Sequence, residues 1–299
     1  MTQVITAADL PSLPWLEVVN PSVRLGQVHR ALFDFDGTIS VIRRGWERIM
    51  IPLMVEMICG DHLPAPEIVR SIETEVVEYV DRSTGILTIR QMEWLTEAVR
   101  RHGLARASEG CERTAREYKR IYNERLLRPV RQRLNHMDAS QAARDALMIA
   151  GARAFLQSLY DRGVTLYLAS GTDHVYVLEE VTALGVAKLF GQEHIYGARD
   201  DAALGGTEAF SKARIIQRIM EEHNLRGEEL LVVGDGPVEI RHAKARGAVA
   251  LGVAADEEKR QGLDSRKRQR LLDAGADLIV TDFLHHQDLL YYLCGETRL

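Results

Sequence analysis

The stretch RALFDFDGTIS, residues 30–40, runs three apolar residues into two aspartates and breaks at once into Gly-Thr. Ala31, Leu32 and Phe33 read as a short buried strand, which sets Asp34 and Asp36 at its end beside a glycine turn. Two carboxylates in such a place are costly unless something compensates for them. That cost is the first indication of a site.

Downstream of this strand the pattern changes twice. Residues 41–135 read as almost all helix. GWERIMIPLMVEMI spaces Trp46, Ile49, Met50, Leu53, Met54 and Met57 by three and four, and PEIVRSIETEVVEYV repeats the period after Pro66, a first-turn proline. TIRQMEWLTEAVRRHG opens at a Thr88 cap and closes on Gly103. SEGCERTAREYKRIYNERLL follows and is expected to stop before Pro129. Four helices with no strand between them suggest a small bundle.

From about residue 150, helical segments alternate with apolar strands: VTLYLAS, HIYGA, ELLVVGD, AVALGVA and ADLIVTD. This alternation predicts an α/β fold, a Rossmann-like parallel sheet with helices on both faces. The strand at 30–33 belongs to that sheet. The expected organisation is an N-terminal arm over 1–29 that packs on the core, a core of 30–40 and 136–299, and an inserted helical domain of 41–135.

The bulk numbers fit a globular protein of one large or two smaller domains: 299 residues, 46% hydrophobic, with a formal net charge of −5. That charge offers no footprint for nucleic acid or an anionic membrane. Cys59, Cys111 and Cys294 are few and far apart, so no disulfide framework is implied. No long apolar run or signal-peptide pattern is evident, and a cytoplasmic protein is expected.

Polar groups recur at strand ends and helix starts, where an open parallel sheet binds its ligands. LYLAS ends in Ser170, followed by Gly171 and Thr172; LLVVGD ends in Asp235, with Glu239 one helical turn on; Lys212 starts a helix. Three carboxylates brought together (Asp34, Asp235, Glu239) repel one another, and a hard divalent cation such as Mg²⁺ would neutralise them. Lys212, Ser170 and backbone N–H groups around Gly37 and Gly171 would then face phosphate oxygens. Phosphoryl transfer needs chiefly positioning and charge neutralisation, which this set offers.

DFDGT, LASGT, Lys212 and VVGDGPVEI, in this order, resemble the four motifs of the haloacid dehalogenase-like hydrolase superfamily, over about 31–40 and 150–285. The helical insertion stands where that superfamily carries its C1-type cap, as in its phosphoglycolate phosphatase and β-phosphoglucomutase-like members. The resemblance implies Asp34 as nucleophile, forming an aspartyl-phosphate, and Asp36 as acid and then base. It implies Mg²⁺ on Asp34, Asp235 and the Asp36 main-chain carbonyl, supported by Glu239, and Ser170 and Lys212 on the phosphoryl group. The expected activity is Mg²⁺-dependent hydrolysis of a small phosphorylated metabolite, a sugar phosphate or a phosphoglycolate-like compound. A phosphomutase of the same fold, or an idle domain that binds a metabolite or partner, are the alternatives.

Other features admit plainer readings. Thr84 and Gly85, in the turn DRSTGILT, are candidates for substrate contact or a simple helix–helix turn. Arg43 and Arg44, just past the first motif, either meet an anionic substrate or face solvent. The charge run EEKRQGLDSRKRQR, 257–270, reads as a solvated helix face. The scattered histidines show no zinc-ligand spacing.

Overall fold

The computed structural model describes residues 5–11, 13–60, 64–104, 113–198 and 211–295. It divides into two compact units, Met1–Arg44 with Met137–Leu299, and Gly45–His136. The start of the fourth expected helix, including Cys111, lies outside the described residues.

The first unit is built on a sheet. Its strands are β2 (Leu16–Val18), β4 (Arg30–Phe33), β5 (Thr165–Asp173), β6 (Ile195–Ala198), β7 (Leu230–Gly234), β8 (Val249–Val253) and β9 (Leu278–Val280), in the order β2-β9-β8-β7-β4-β5-β6. All neighbours are parallel except β2, which runs antiparallel along the β9 edge. The inner strands β7 and β8 are buried at every residue, which is why they read as unbroken apolar runs.

Side chains alternate across β4. Leu32 joins a cluster with Ile215, Ile216 and Ile219 of α9 (Lys212–Glu222), Ile240 of α10 (Pro237–Lys244) and Leu271 of α11 (Ser265–Ala274). Phe33 faces the other layer, edge-on to Phe155 of α6 (Ala152–Asp161), which stacks in turn on Phe283 just before α12 (His286–Cys294). The central position of β4 follows from its register: Phe33 pairs with Leu168 on one side and Val233 on the other. Its carboxyl end therefore opens between the ends of β5 and β7.

The N-terminal residues pair with one another and with the main sheet. β1 (Ile5–Thr6) pairs antiparallel with β3 (Arg24–Leu25), and the segment between them supplies β2 to the main sheet. Asp277, wholly buried, ties this segment down by accepting from Asn20 Nδ2 (2.6 Å), the Ala250 N–H (2.9 Å) and Lys244.

Residues 39–41 run beside residues 147–149 within the sheet unit. Val41 N–H donates to the Leu147 carbonyl and Ile149 N–H to the Ile39 carbonyl, both at 2.9 Å. Residues 41–44 thus stay with the sheet unit, and the helical unit runs from Gly45 to His136.

The helical unit comprises α1 (Glu47–Cys59), α2 (Pro66–Arg82), α3 (Thr88–His102) and α4 (Ala115–His136). Each buries one stripe: Met50, Leu53, Met54 and Ile58; Ile72, Val76, Tyr79 and Val80; Met92, Leu95 and Ala98; Tyr118, Tyr122, Leu126, Leu127 and Val130. Tyr79 and Trp94 stack across α2 and α3. The expected stop before Pro129 is wrong: α4 runs through it to His136. Proline forfeits one backbone hydrogen bond in a helix interior. Here Leu126, Leu127 and Val130 are buried on either side of it, and packing of that stripe outweighs local propensity. No helix among the described residues is long and apolar enough to cross a membrane.

Candidate active site

The site grows from the turn that ends β4. Asp34 N–H donates to the Val233 carbonyl (2.8 Å), continuing the β7 ladder one residue past the strand. The chain then folds back: Ile39 and Ser40 N–H groups donate to the Phe35 carbonyl (2.9 Å each), and Gly37 N–H to the Ser40 carbonyl (2.8 Å). Gly37 has φ +77°, and a Cβ there would strike the Asp235 carboxylate and Glu257. Only glycine both adopts this conformation readily and leaves that space.

Around this turn the structure gathers the other strand ends. Asp34, Asp235 and Glu239 are all buried and present oxygens within 4.8 Å of one another. Lys212, in the first turn of α9, donates to Asp34 Oδ1 (2.7 Å) and Glu239 Oε2 (2.8 Å). Glu239 is also fixed by the Gly236 N–H, which donates to Oε1 (2.8 Å) across the first turn of α10. The β5 strand is irregular between Ala169 and Asp173, the stretch that holds Ser170, Gly171 and Thr172. There the Ser170 and Thr172 hydroxyls donate to Asp36 Oδ2, at 3.3 and 3.1 Å. Asp36 Oδ1 is buried without a hydrogen-bond partner among the described residues, with Arg43 Nε 3.8 Å away.

The environment treats the carboxyls differently. Burial pushes Asp34 well above the usual carboxylate range, against the pull of Lys212. Burial also raises Asp36, opposed by Arg43 and the Thr172 and Ser170 hydroxyls. Asp235 feels the same desolvation, yet Lys267 outweighs it and holds the group below its ordinary value. Burial alone would lower the Lys212 ammonium, but Asp34 and Glu239 keep it above the ordinary lysine value. Among the carboxyls, Asp34 and Asp36 are thus raised and Asp235 is lowered, beside a lysine that stays charged.

Of the residues singled out in the sequence, Asp34, Asp36, Ser170, Lys212, Asp235 and Glu239 converge at the ends of β4, β5 and β7. Arg43 reaches the same cluster but is engaged by buried Glu180 of α7 (His174–Ala183): Nη2 donates to Oε1 at 2.6 Å and Nε to Oε2 at 3.2 Å. Arg44 turns to Glu258 at 3.3 Å. Thr84 and Gly85 belong to the helical unit; the Thr84 hydroxyl is buried and donates to the Val80 carbonyl (3.2 Å), and Gly85 takes φ +90°.

The sequence reading passed over Glu180, Thr38, Glu257 and Lys267. The solvated-face reading of 257–270 fails at Lys267 and Arg270, both buried. Lys267 Nζ lies 2.7 Å from Asp235 Oδ2 and 2.7 Å from Glu257 Oε1. One signal was available: a lysine in the first turn of a helix opposes the dipole and calls for a local anion.

The oxygen-only donor set suits a hard divalent cation such as Mg²⁺, which takes one or two carboxylates and leaves its other positions to water or phosphate. Comparison with known proteins agrees with the geometry. The family model for haloacid dehalogenase-like hydrolases matches residues 29–247. A comparison with curated proteins gave no match. Among solved structures, the chain is similar to a predicted phosphoglycolate phosphatase from Haemophilus somnus 129PT (16% identity, TM-score 0.54, 88% of this chain and 98% of that one). It is also similar to a predicted phosphatase from Clostridium acetobutylicum (19%, 0.51, 88% and 99%) and a hydrolase from Pseudomonas syringae (16%, 0.52, 88% and 99%). At such identities the likeness is one of fold, whereas the family model rests on the sequence itself. The chain belongs to the haloacid dehalogenase-like hydrolases.

Proposed function

We propose that this protein is a Mg²⁺-dependent phosphomonoester hydrolase that acts on a small phosphorylated metabolite through a covalent Asp34 intermediate. The observation that carries the reading is the convergence of Asp34, Asp235 and Glu239 within 4.8 Å, with Lys212 seated on Asp34. Asp34, Asp235 and the main-chain carbonyl of Asp36 would hold the ion, with Glu239 in support. When bound, the ion supplies charge neutralisation for the carboxylates and the phosphate oxygens.

Asp34 attacks phosphorus: an Asp34 oxygen–phosphorus bond forms as the ester oxygen–phosphorus bond breaks. Asp36 gives its proton to the leaving oxygen, then takes one from the water that hydrolyses the acyl phosphate. Burial favours the protonated form of Asp36, as that first step requires. The Ser170 and Thr172 hydroxyls orient Oδ2, which leaves Oδ1 for the leaving group. Lys212 would hold the phosphoryl oxygens, joined by Ser170 once its one hydroxyl proton turns from Asp36 to the phosphoryl group, with donors from the backbone at Gly37 and Gly171.

We assign substrate selection to the helical unit as a cap domain, with Thr84, Gly85, Arg43 and Arg44 as substrate-binding residues. A sugar phosphate or phosphoglycolate-like compound is the substrate class, and the cytoplasm the setting. The test is phosphate release from p-nitrophenyl phosphate and a panel of phosphorylated metabolites. Release that requires Mg²⁺ and is absent in Asp34→Asn is the expected result; isomerised sugar phosphate without release would point to a mutase.

A further inference from the structure

Lys267 stands outside the proposed chemistry, yet its ammonium is buried in the cluster. It sits in the first turn of α11, behind the Asp264 side chain, which accepts from the Arg266 (2.9 Å) and Lys267 (3.0 Å) N–H groups. Two costs attach to that place: desolvation of a charge, and a cation at the positive end of a helix. An apolar side chain would escape both costs but would leave the Asp235 and Glu257 carboxylates without their cation, so this lysine bears on how those two groups are held.

Its contacts show how they are held. The ammonium has three protons and three acceptors: Asp235 Oδ2 at 2.7 Å, Glu257 Oε1 at 2.7 Å and the Gly37 carbonyl at 3.5 Å. Asp235 Oδ1 in turn accepts from the Thr38 hydroxyl at 3.4 Å. Both oxygens of the carboxylate are thus held, one from each side. Glu257 is held as well, by the loop after β8. Asp256 N–H donates to the Gly262 carbonyl (3.0 Å), Asp264 N–H to the Ala254 carbonyl (2.8 Å), and the Asp256 side chain accepts from the Glu258 and Lys259 N–H groups (3.0 and 3.1 Å). The turn at Gly37 completes the arrangement, since a Cβ there would displace both Asp235 and Glu257.

We propose that Lys267 and Glu257 are positioning residues that clamp Asp235 in the orientation in which it shares a divalent ion with Asp34; the inference rests on the function proposed above. The clamp sets how tightly the ion is held. Outer residues that orient a metal ligand typically change affinity by about 10- to 100-fold when removed. A competing view, in which the lysine merely repels the ion, predicts the opposite sign.

The test is calorimetric titration of the full-length protein with Mg²⁺ alone, without substrate, for the wild type, Lys267→Met and Glu257→Gln. Weakening by about tenfold or more in Lys267→Met is expected, with a smaller loss in Glu257→Gln. Melting in EDTA adds a control, because a purely structural role would lower the melting temperature and leave the Mg²⁺ affinity of the folded protein unchanged. If Lys267→Met does not fold, Glu257→Gln decides by itself: weaker binding supports the clamp, and unchanged binding overturns it. Affinity equal to or above the wild type in both variants also overturns it. A wild type that takes up no Mg²⁺ overturns the proposed function and the clamp with it, which separates that failure from failure of the clamp alone.

Discussion

The chain uses ion pairs in two ways. In the helical unit they lie on the surface: Arg125 meets Glu56 at 2.7 Å with the two side chains 40% and 53% exposed, and Arg120–Glu124 and Arg90–Glu93 are similar. At the strand ends they are buried: Lys212–Asp34 is 2% and 8% exposed, and Arg43–Glu180 is 7% and 3%. The first kind contributes about 0–1 kcal/mol because water screens it. The second kind carries a desolvation penalty and is expensive to break, because the remaining charge is left without compensation. The same residue types thus decorate a helix bundle in one region and form the interior of a site in the other. Surface helices are kept in place by their apolar stripes. The strand ends hold their charges at a cost in stability, at the place where the proposed reaction would use them.

The contrast is sharpest for activity. Asp34→Asn should lower turnover of any substrate by on the order of 10³-fold or more, measured as phosphate release with Mg²⁺, because it removes the attacking oxygen. No charge substitution on the exposed surface of the helical unit should approach that loss.

Next comes the cost of breaking a buried pair. Arg43→Met should destabilise the protein by about 3–5 kcal/mol in urea unfolding at about pH 8, where Glu180 is ionised in the wild type. The cost should shrink in acid, because Glu180 can then take a proton. Burial, against the opposing charge of Arg43, raises Glu180 to about 7 from its ordinary 4.5. The folded state thus keeps a proton that the unfolded chain releases between those values. Its contribution to stability is full below about pH 4.5, falls as pH rises to about 7 and is level above. Glu180→Gln should remove that part of the pH dependence; unfolding in EDTA across this range, compared with the wild type, measures it. Identical slopes in the two proteins would contradict the buried-acid account.

In the helical unit the large effects should come from apolar side chains instead. Leu95→Ala, at a fully buried position of α3, should cost about 2–5 kcal/mol by thermal or urea unfolding. Glu56→Gln, which breaks the exposed pair with Arg125, should cost less than about 1 kcal/mol. A Glu56→Gln cost comparable to that of Arg43→Met would erase the distinction between the two regions.

Much of this architecture is legible in the sequence, for a physical reason. Parallel strands covered on both faces must be apolar throughout, so ELLVVGD and AVALGVA announce themselves, and a polar residue at their ends stands out. Asp34, Asp235, Ser170 and Lys212 could be picked out at strand ends and helix starts, and the structure brings them together. The partners of those residues are another matter. Glu180 lies 137 positions from Arg43, and Lys267 lies 230 from Gly37. Inside a hydrophilic run the first-turn position of Lys267 is the one local sign that the fold will bury a charge there. Pro129 failed as a stop signal because tertiary packing overrode a local rule. The edge strand at Leu16–Val18 was hidden because it is short and pairs with a strand near the opposite end of the sequence.

Attack of Asp34 on phosphorus, in a divalent-ion site shared with Asp235, can be tested by trapping the intermediate. The protein would be mixed with acetyl phosphate and Mg²⁺, quenched in acid, digested and examined by mass spectrometry. A phosphoryl group is expected on Asp34 in the wild type and should fail to form in EDTA or in Asp235→Asn. Turnover with no such adduct, or an adduct on another residue, would contradict it.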